Sequence, residues 1–463
     1  HAPLTGYQIA YQANDSEAVL AIVSGQDQAC KLEDVELADG LVLMSFDNVS
    51  TDRLYEDLPA AAAEVPDEVV EAIMQQRREN PLETTSVATI LYTSGTTGEP
   101  KGVMLSHYNL VCNTLSSMKN FDASGDDIHL NFLPLSHIFA RTCDYYAWIA
   151  TSNRLVLAQS RDTIIEDCHA IKPTQMNGVP YFFDKLHRVL KEQGLEDQPG
   201  SLRNLLGGNM VRCNSGGAAL AEHVYDFFTG QGVHLLQGYG LTETSPVISM
   251  SNEQNSRRGA SGRPLHDVEV AITDEGEIIT RGPHVMLGYY KNEQATAEAI
   301  RDGWFYTGDL GHLDEDNFVF ITGRKKELIV TAGGKNIAPV LLESLMTEDL
   351  LIEQAVVIGS ERKYLTALVV VAREPLEKCL QEQQMELTWP GLLEDERVEQ
   401  LFRERIDRQL QNLSPYEQVG KFVLLPEPFS LEREEMTAKL SLRRDVIMKN
   451  QAAAIEAMYQ DNS

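Results

Sequence analysis

The stretch from Tyr92 to Gly102, YTSGTTGEPKG, sets three glycines, three threonines, a serine and a lysine between two apolar runs. Thr93 is the first of its aliphatic hydroxyl residues. Hydroxyls at Ser94, Thr96 and Thr97, backbone N–H groups that Gly95 and Gly98 leave approachable, and a mobile charge at Lys101 together make a cradle for an anion. The spacing departs from the loop of γ-phosphate transfer enzymes, which runs G-x-x-x-x-G-K-[ST] straight into a helix. Here Pro100 and Gly102 come next, then a short strand, VMLS. The helix HYNLVCNTLSSM begins only after Ser106, a suitable N-cap. Strand, loop, strand is therefore the expected setting, and phosphate the expected ligand. A plain flexible hairpin would not need this density of hydroxyls beside a lysine.

The elements that must position this loop read as layered α/β structure. A chain of 463 residues exceeds one ordinary core, so two or more domains are expected. EAVLAIVS (from Glu17) and LVLMSF (from Leu41) read as buried strands, and SVATILYT feeds the loop. Helical patterning from Asp52 to Glu79 is broken by Pro66. Between Asn131 and Met250 short apolar strands alternate with helical segments, which argues a layered sheet. After Arg263 the texture turns β-rich: VEVAITDEGEIITRG is strand, turn, strand, and NFVFITGRKKELIVTAGGK reads as another hairpin-like pair. Pro339 opens a helix, EQAVVIG and LTALVVVA pair across a polar turn, and Val398, Leu401, Phe402, Ile406 and Leu410 share one helical face that reads as core. The expected boundary falls at residues 324–326, between a large domain, 1–323, and a small one, 327–463.

Totals narrow the partners. A net charge of −30 repels DNA, RNA and anionic surfaces, and any anion site must be built from local donors. Six scattered cysteines form no CxxC pair, and no Cys/His cluster has zinc spacing, so reduced thiols in a cytoplasmic protein are expected. No apolar run is long enough to span a membrane, and His1 is not followed by a signal-peptide pattern. A chain opening on histidine is expected to have been processed or to be part of a longer one.

YTSGTTGEPKG resembles the phosphate-loop signature of the adenylate-forming (ANL) superfamily of AMP-binding enzymes: acyl-CoA synthetases, nonribosomal peptide adenylation domains and firefly luciferase. The superfamily's other motifs follow in the same order along nearly the whole chain. NFLPLSHIFART, VPYFFDKLH and GRKKELIVTAGGKNIAP look most like long-chain fatty acid–CoA ligases. Those enzymes carry a longer N-terminal portion, so the first part of the family's large domain is expected to be absent. The resemblance implies an α/β fold: a large domain of layered sheets with a β-rich subdomain, and a small mobile α+β C-terminal lid. It also implies the reaction. A carboxylate attacks the α-phosphate of ATP with Mg2+, giving acyl-AMP and pyrophosphate, and coenzyme A then displaces AMP. Fatty acid, ATP and CoA would be the partners. Peripheral association with a membrane, to collect fatty acid, is compatible with it.

Site residues follow from the same resemblance. Gly216, Gly217 and Ala218 in NSGGAAL would let adenine lie against the backbone, although alone they could equally form a tight strand–helix turn. In QGYGLTET, Gln237, Gly238 and Gly240 flank Tyr239, which can stack on adenine; Thr242 can donate to the α-phosphate, and Glu243 can hold Mg2+. Read without the resemblance, Tyr239 could be core and Glu243 a solvated carboxylate. Asp309 in GWFYTGDLG can accept both ribose hydroxyls, or simply end a turn, and Arg324 resembles the family arginine that meets ribose or phosphate. Lys326 sits at the family's hinge. Gly333 and Gly334 in TAGGK would leave room for the pantetheine arm of CoA, or form an ordinary hairpin turn. His137 would line the acyl substrate; a carboxylate already ionised at pH 7 needs no base.

The catalytic lysine is expected in EEMTAKLSLRRDVI. Aligned with T-G-K-L-x-x-R it is Lys439, with Ala438 in place of glycine. Aligned with the long-chain pattern T-P-T-L-K-L-[KR]-R, Ser441 takes the lysine position, and then either Lys439 reaches in from two residues away or adenylation is impaired. A two-residue shift on a strand keeps the same face, so Lys439 is the expected catalytic residue. Two other readings are a fatty acyl-AMP ligase that loads a carrier protein, and a non-catalytic binder of acyl-adenylate or AMP.

Overall fold

The computed structural model describes residues 4–47, 51–93, 100–121, 125–383, 385, 388–430, 432–436 and 442–460. Contacts divide the chain into two units. The first comprises His1–Cys112, Thr242–Ser245 and Pro283–Ile300, and the second Asn113–Leu241, Pro246–Gly282 and Arg301–Ser463.

In the first unit the strands Val87–Thr93 and Lys101–Ser106 pair antiparallel, with Thr93 opposite Lys101 at the loop end. The outer edge of the second strand takes Gly288–Tyr289, with Tyr289 opposite Val103. Val103 and Leu105 are fully buried, which anchors the second strand of the hairpin. The helix His107–Met118 starts where its cap requires. Asn109 N–H donates to Ser106 Oγ at 3.0 Å, and Ser106 N–H returns a bond to Asn109 Oδ1 at 2.8 Å. A separate parallel sheet joins Leu20–Val23, Val42–Ser45 and Arg53–Leu54. Its first strand is not buried as expected, since Ile22 is 50% exposed. Parallel strands are stable when both faces are covered; here the buried contacts come from Ala10, Ala29, Leu32 and Met44, and among the described residues no second layer covers Leu20 and Ile22. The acidic stretch is two helices, Leu58–Ala63 and Asp67–Glu79, divided at Pro66, which caps the second.

The second unit is built on a seven-stranded sheet. Its order is Arg263–Pro264, Val247–Met250, His234–Gly240, Arg212–Ser215, Gln175–Gly178, Ile128–Asn131, Arg154–Leu157. The last five run parallel and the first two antiparallel. Helices Ile164–Ile171, Pro180–Glu192 and Glu222–Gly230 bury Cys168, Phe183, Leu190 and Phe228 in one core with Met176 and Leu235 from the strands. Burial pushes the Cys168 thiol up to about 12, as suits an inert reduced cysteine. A second, antiparallel sheet pairs Glu269–Ile272 with Glu277–Arg281, then Trp304–Leu313, then Val319–Arg324.

The expected hairpin in NFVFITGRKKELIVTAGGK is corrected. Val319–Arg324 pairs back onto Trp304–Leu313, a turn at Lys325–Glu327 breaks the run, and Ile329–Val330 pairs forward with Asn336–Ile337. Beyond it a three-stranded sheet, Ile352–Ile358, Leu365–Val371 and Val419–Leu425, carries helices on both faces. Ala355, Val357, Ala367 and Val369 face Leu342, Leu376, Val398, Phe402, Ile406 and Leu410. Val356, Leu368 and Val370 face Ile447, Ile455 and Met458. This alternation is the period of a strand buried on both sides.

One charged pair locks that last sandwich. Glu343 Oε1 accepts the Val357 N–H at 2.7 Å, and its other oxygen accepts from Arg444. Burial raises the Glu343 carboxyl above its ordinary range, and Arg444 opposes that shift. Removing one partner of a buried pair strands the other charge. Arg444→Ala is therefore expected to cost about 3–5 kcal/mol of stability, and the double change Glu343→Leu, Arg444→Met far less. Urea unfolding of both variants checks this; equal losses would contradict the pairing.

Candidate active site

The sequence-predicted residues fall on both units. In the first, Thr93 Oγ1 reaches the Lys101 carbonyl at 3.5 Å across the open end of the hairpin. Ser94, Gly95, Thr96, Thr97 and Gly98 lie outside the described residues. The Lys101 ammonium stands 5.1 Å from the centre of the Tyr289 ring, within cation–π range. Tyr289 in turn donates its hydroxyl to Glu243 Oε1 at 2.9 Å. Burial, then the Glu243 charge, raise the Tyr289 phenol, so it stays a donor. Thr242 and Glu243 share the short turn Thr242–Thr244. That turn is pinned by Met286 N–H to the Glu243 carbonyl at 2.8 Å and by Ser245 Oγ to the His284 carbonyl at 2.8 Å. Burial holds His284 down to about 4, so the anchor is uncharged at neutral pH. Glu243 offers a hard cation the carboxylate oxygen it prefers, with Tyr289 orienting the group, so this donor set fits Mg2+. Tyr289 escaped sequence reasoning: its place depends on a two-residue strand laid against Val103, which local pattern does not reveal.

In the second unit Gly216 to Ala218 follow one parallel strand and Gln237 to Gly240 end the next, at the edge where open α/β sheets take ligands. Gln237 pairs in register with Ser215, so the turn Gly216–Gly217–Ala218 begins beside Gln237 and Gly238. Gly217 and Ala218 are exposed, whereas a Cβ on Gly216 would stand 3.1 Å from the Phe139 ring. Gly240 is the more restricted: a Cβ there would meet the Pro246 carbonyl at 1.7 Å, at the irregularity where the strand turns to Val247. Tyr239 donates its hydroxyl to Asp309 Oδ2 at 2.7 Å, and Arg324, directly opposite Asp309 in the sheet, donates Nε to Oδ1 at 2.8 Å. Asp309 is only 4% exposed, and its backbone N–H bonds Thr307 Oγ1 at 3.0 Å. Burial raises the Asp309 carboxyl above its ordinary value; Arg324 and Tyr239 counter it in part. The Tyr239 ring packs with Ile248, Ile278 and Val319.

A further polar group was missed. Asp144, fully buried in the π-helical turn Arg141–Tyr146, accepts from Asn131 Nδ2 at 2.6 Å and from Asn177, while Asn214 Nδ2 bonds Asn177 Oδ1 at 2.7 Å. His129 Nε2 is 2.8 Å from Asp144 Oδ1. A π-helical turn leaves no hydropathy signature, so nothing in the sequence pairs Asp144 with these strand ends. His137 precedes the helix Ile138–Ala140, two residues before Phe139.

Arg324 ends its strand and Lys326 lies exposed in the following turn. Gly333 and Gly334 form the exposed tip of the next hairpin, where Thr331 N–H bonds the Lys335 carbonyl at 3.0 Å. Lys439 and Ser441 lie outside the described residues; the flanking Met436 and Leu442 form an antiparallel bridge.

Residues 1–290 match the sequence pattern of the AMP-binding enzymes, and residues 326–463 that of the AMP-binding enzyme C-terminal domain. The chain belongs to the AMP-binding enzyme family. FadD15 of Mycobacterium bovis, a long-chain-fatty-acid–CoA ligase, is 31% identical over 506 residues, covering 98% of this chain and 82% of the relative. Human ACSBG1, also a long-chain-fatty-acid–CoA ligase, is 29% identical over 88% of this chain and 65% of its own length. In fold, the chain is similar to the ATP-bound MatB of Rhodopseudomonas palustris, with a TM-score of 0.72 at 24% identity, over 97% of this chain and 82% of that one. The mixed α/β architecture of this AMP-binding enzyme, with its compact C-terminal sandwich, is that of the adenylate-forming fold. Among the described residues no helix is long and apolar enough to cross a membrane.

If Asp309 receives the ribose, Asp309→Asn removes a charge-assisted bond worth about 1.5–3 kcal/mol. AMP affinity, measured by calorimetry, is expected to fall about 10- to 100-fold. Unchanged affinity would remove Asp309 from the nucleotide site.

Proposed function

We propose that this AMP-binding enzyme is an acid–thiol ligase that activates a long-chain fatty acid with ATP and passes the acyl group to coenzyme A. The observation that carries the reading is the buried Tyr239–Asp309–Arg324 cluster at the end of the QGYG strand. It sets a carboxylate and a cation, groups suited to the ribose and phosphate of a nucleoside monophosphate, beside a tyrosine whose ring packs into the core. The likeness to FadD15 supports a fatty acid as the carboxylate and CoA as the acceptor.

In this reading a carboxylate oxygen of the acid bonds the α-phosphorus while the bond to the β-phosphate bridging oxygen breaks. Pyrophosphate leaves with that electron pair. The phosphate loop, Ser94 to Gly98, grips the departing phosphates and Lys101 offsets their charge. Thr242 donates to an α-phosphate oxygen. Glu243 would hold Mg2+, whose charge would shield the phosphates; Tyr289 keeps that carboxylate in place. Lys439 supplies the positive charge on the acyl and α-phosphate oxygens. His137 lines the path of the acid. Residues 1–323 then form the large domain and 327–463 the lid, with a torsional change at Lys326 turning the lid between half-reactions. Gly333 and Gly334 give the pantetheine arm room in the second half.

The test separates the halves. Lys439→Ala is expected to slow pyrophosphate release at least about 100-fold, the scale for losing a transition-state charge partner. The same variant should still convert supplied acyl-AMP and CoA to thioester. An unaffected pyrophosphate rate would move the lysine role elsewhere, and acyl-AMP accumulating beside CoA would mean that a carrier protein is the acceptor.

A further inference from the structure

Away from the nucleotide residues, helix Pro180–Glu192 places Asp184 and His187 three residues apart, hence on one face. His223, in the first turn of helix Glu222–Gly230, comes against them. One ligand atom from each of the three lies within 4.8 Å of the other two, and His223 Nε2 is already 3.0 Å from Asp184 Oδ1. We propose that Asp184, His187 and His223 bind a divalent transition-metal ion of the zinc class.

Two imidazoles and a carboxylate are a zinc-type donor set, and tetrahedral bonds of about 2.0–2.1 Å hold ligand atoms roughly 3.4 Å apart. The observed ligand atoms lie up to 4.8 Å apart, so the side chains would draw together around an ion. A second observation points the same way. His187 is 6% exposed, yet neither of its ring nitrogens has a hydrogen-bond partner among the described residues, nor does His223 Nδ1. His187 Nε2 and His223 Nδ1 have only carboxylates beyond hydrogen-bond distance, and His187 Nδ1 has none; buried polar atoms are almost always satisfied, so the His187 ring calls for a further partner. The ring of His187 is held by stacking on Phe227, centroids 4.3 Å apart.

Carboxylates stand ready around the pair. Glu196 Oε1 is 3.6 Å from His187 Nε2, and Glu348 Oε1 is 3.6 Å from His223 Nδ1. Metal-bound imidazoles commonly engage such outer carboxylates, and either glutamate could swing in as a fourth ligand. Arg188 Nε takes Asp184 Oδ2 at 2.6 Å and leaves Oδ1 towards the histidines. A cavity of about 520 Å3, lined by His187, His223, Glu196, Asp226 and Glu348, opens a path for the ion. Glu348 belongs to the stretch that matches the C-terminal domain, whereas the three ligands belong to the AMP-binding stretch. The ion would therefore tie the two together.

Zinc titration of the whole chain against a chromophoric chelator tests the site. One tight ion per chain is expected, with affinity falling at least about 100-fold in the double variant His187→Gln, His223→Gln and about 10-fold in Glu348→Gln. Zinc should also raise the Tm of the unaltered chain and leave that of the double variant unmoved, with circular dichroism confirming that the variant folds. Asp184→Asn, which keeps the side-chain shape, serves if the double variant does not fold. Zinc affinity that is the same in the histidine or Asp184 variants as in the unaltered chain, or no zinc-dependent rise in Tm, overturns the proposal.

Discussion

A carboxylate taken almost wholly out of water has to be satisfied, and Asp309 organises its surroundings on that condition. Tyr239 and Arg324 each give it a hydrogen bond, from two different sheets. One is the parallel sheet's His234–Gly240 strand; the other is the antiparallel pair Trp304–Leu313 and Val319–Arg324. Leaving either oxygen unpaired in the interior would cost several times what an ordinary surface contact contributes. The cluster thus fixes where the QGYG strand ends relative to the sheet that follows it. It also fixes Arg324, the last residue before the turn containing Lys326. In the proposed function a ribose would compete for oxygens that are already held, so nucleotide binding would exchange one set of hydrogen bonds for another.

Around that point the unit repeats one device: polar groups buried at strand ends and satisfied across elements. Asp144 ties a π-helical turn to Asn131 and Asn177. Glu343 ties a helix to a strand and to Arg444. Each pairing is specific because a misplaced register would strand a charge. The first unit follows a related logic with weaker bonds, in which Lys101, Tyr289 and Glu243 form a chain of contacts that starts at the foot of the second hairpin strand.

What the sequence discloses divides by range. The Ser106 cap, the break at Pro66 and the core face of helix Glu396–Leu410 were legible because each depends on neighbours within a few residues. The pairing of EQAVVIG with LTALVVVA was legible because a short polar turn leaves one way to fold. Reading the run after Asn317 as one hairpin failed because apolar content cannot say which of two neighbours a strand will choose. Buried strands at Leu20–Val23 were misjudged for a similar reason: apolarity marks a capacity for burial, and cover comes from elsewhere in the chain. Tyr289, Asp144 and the His187–His223 pair were invisible. Each acquires its role from a partner 30 or more residues away, with no periodicity to announce it.

The proposed reaction is attack by a carboxylate oxygen on the α-phosphorus of ATP, followed by loss of that same oxygen with AMP. Oxygen-18 in the carboxyl group of a long-chain fatty acid traces it. After complete turnover with ATP and CoA, mass spectrometry should find one labelled oxygen in each AMP and none in pyrophosphate. Label in inorganic phosphate, or AMP formed without label, would contradict the mechanism assigned to this chain.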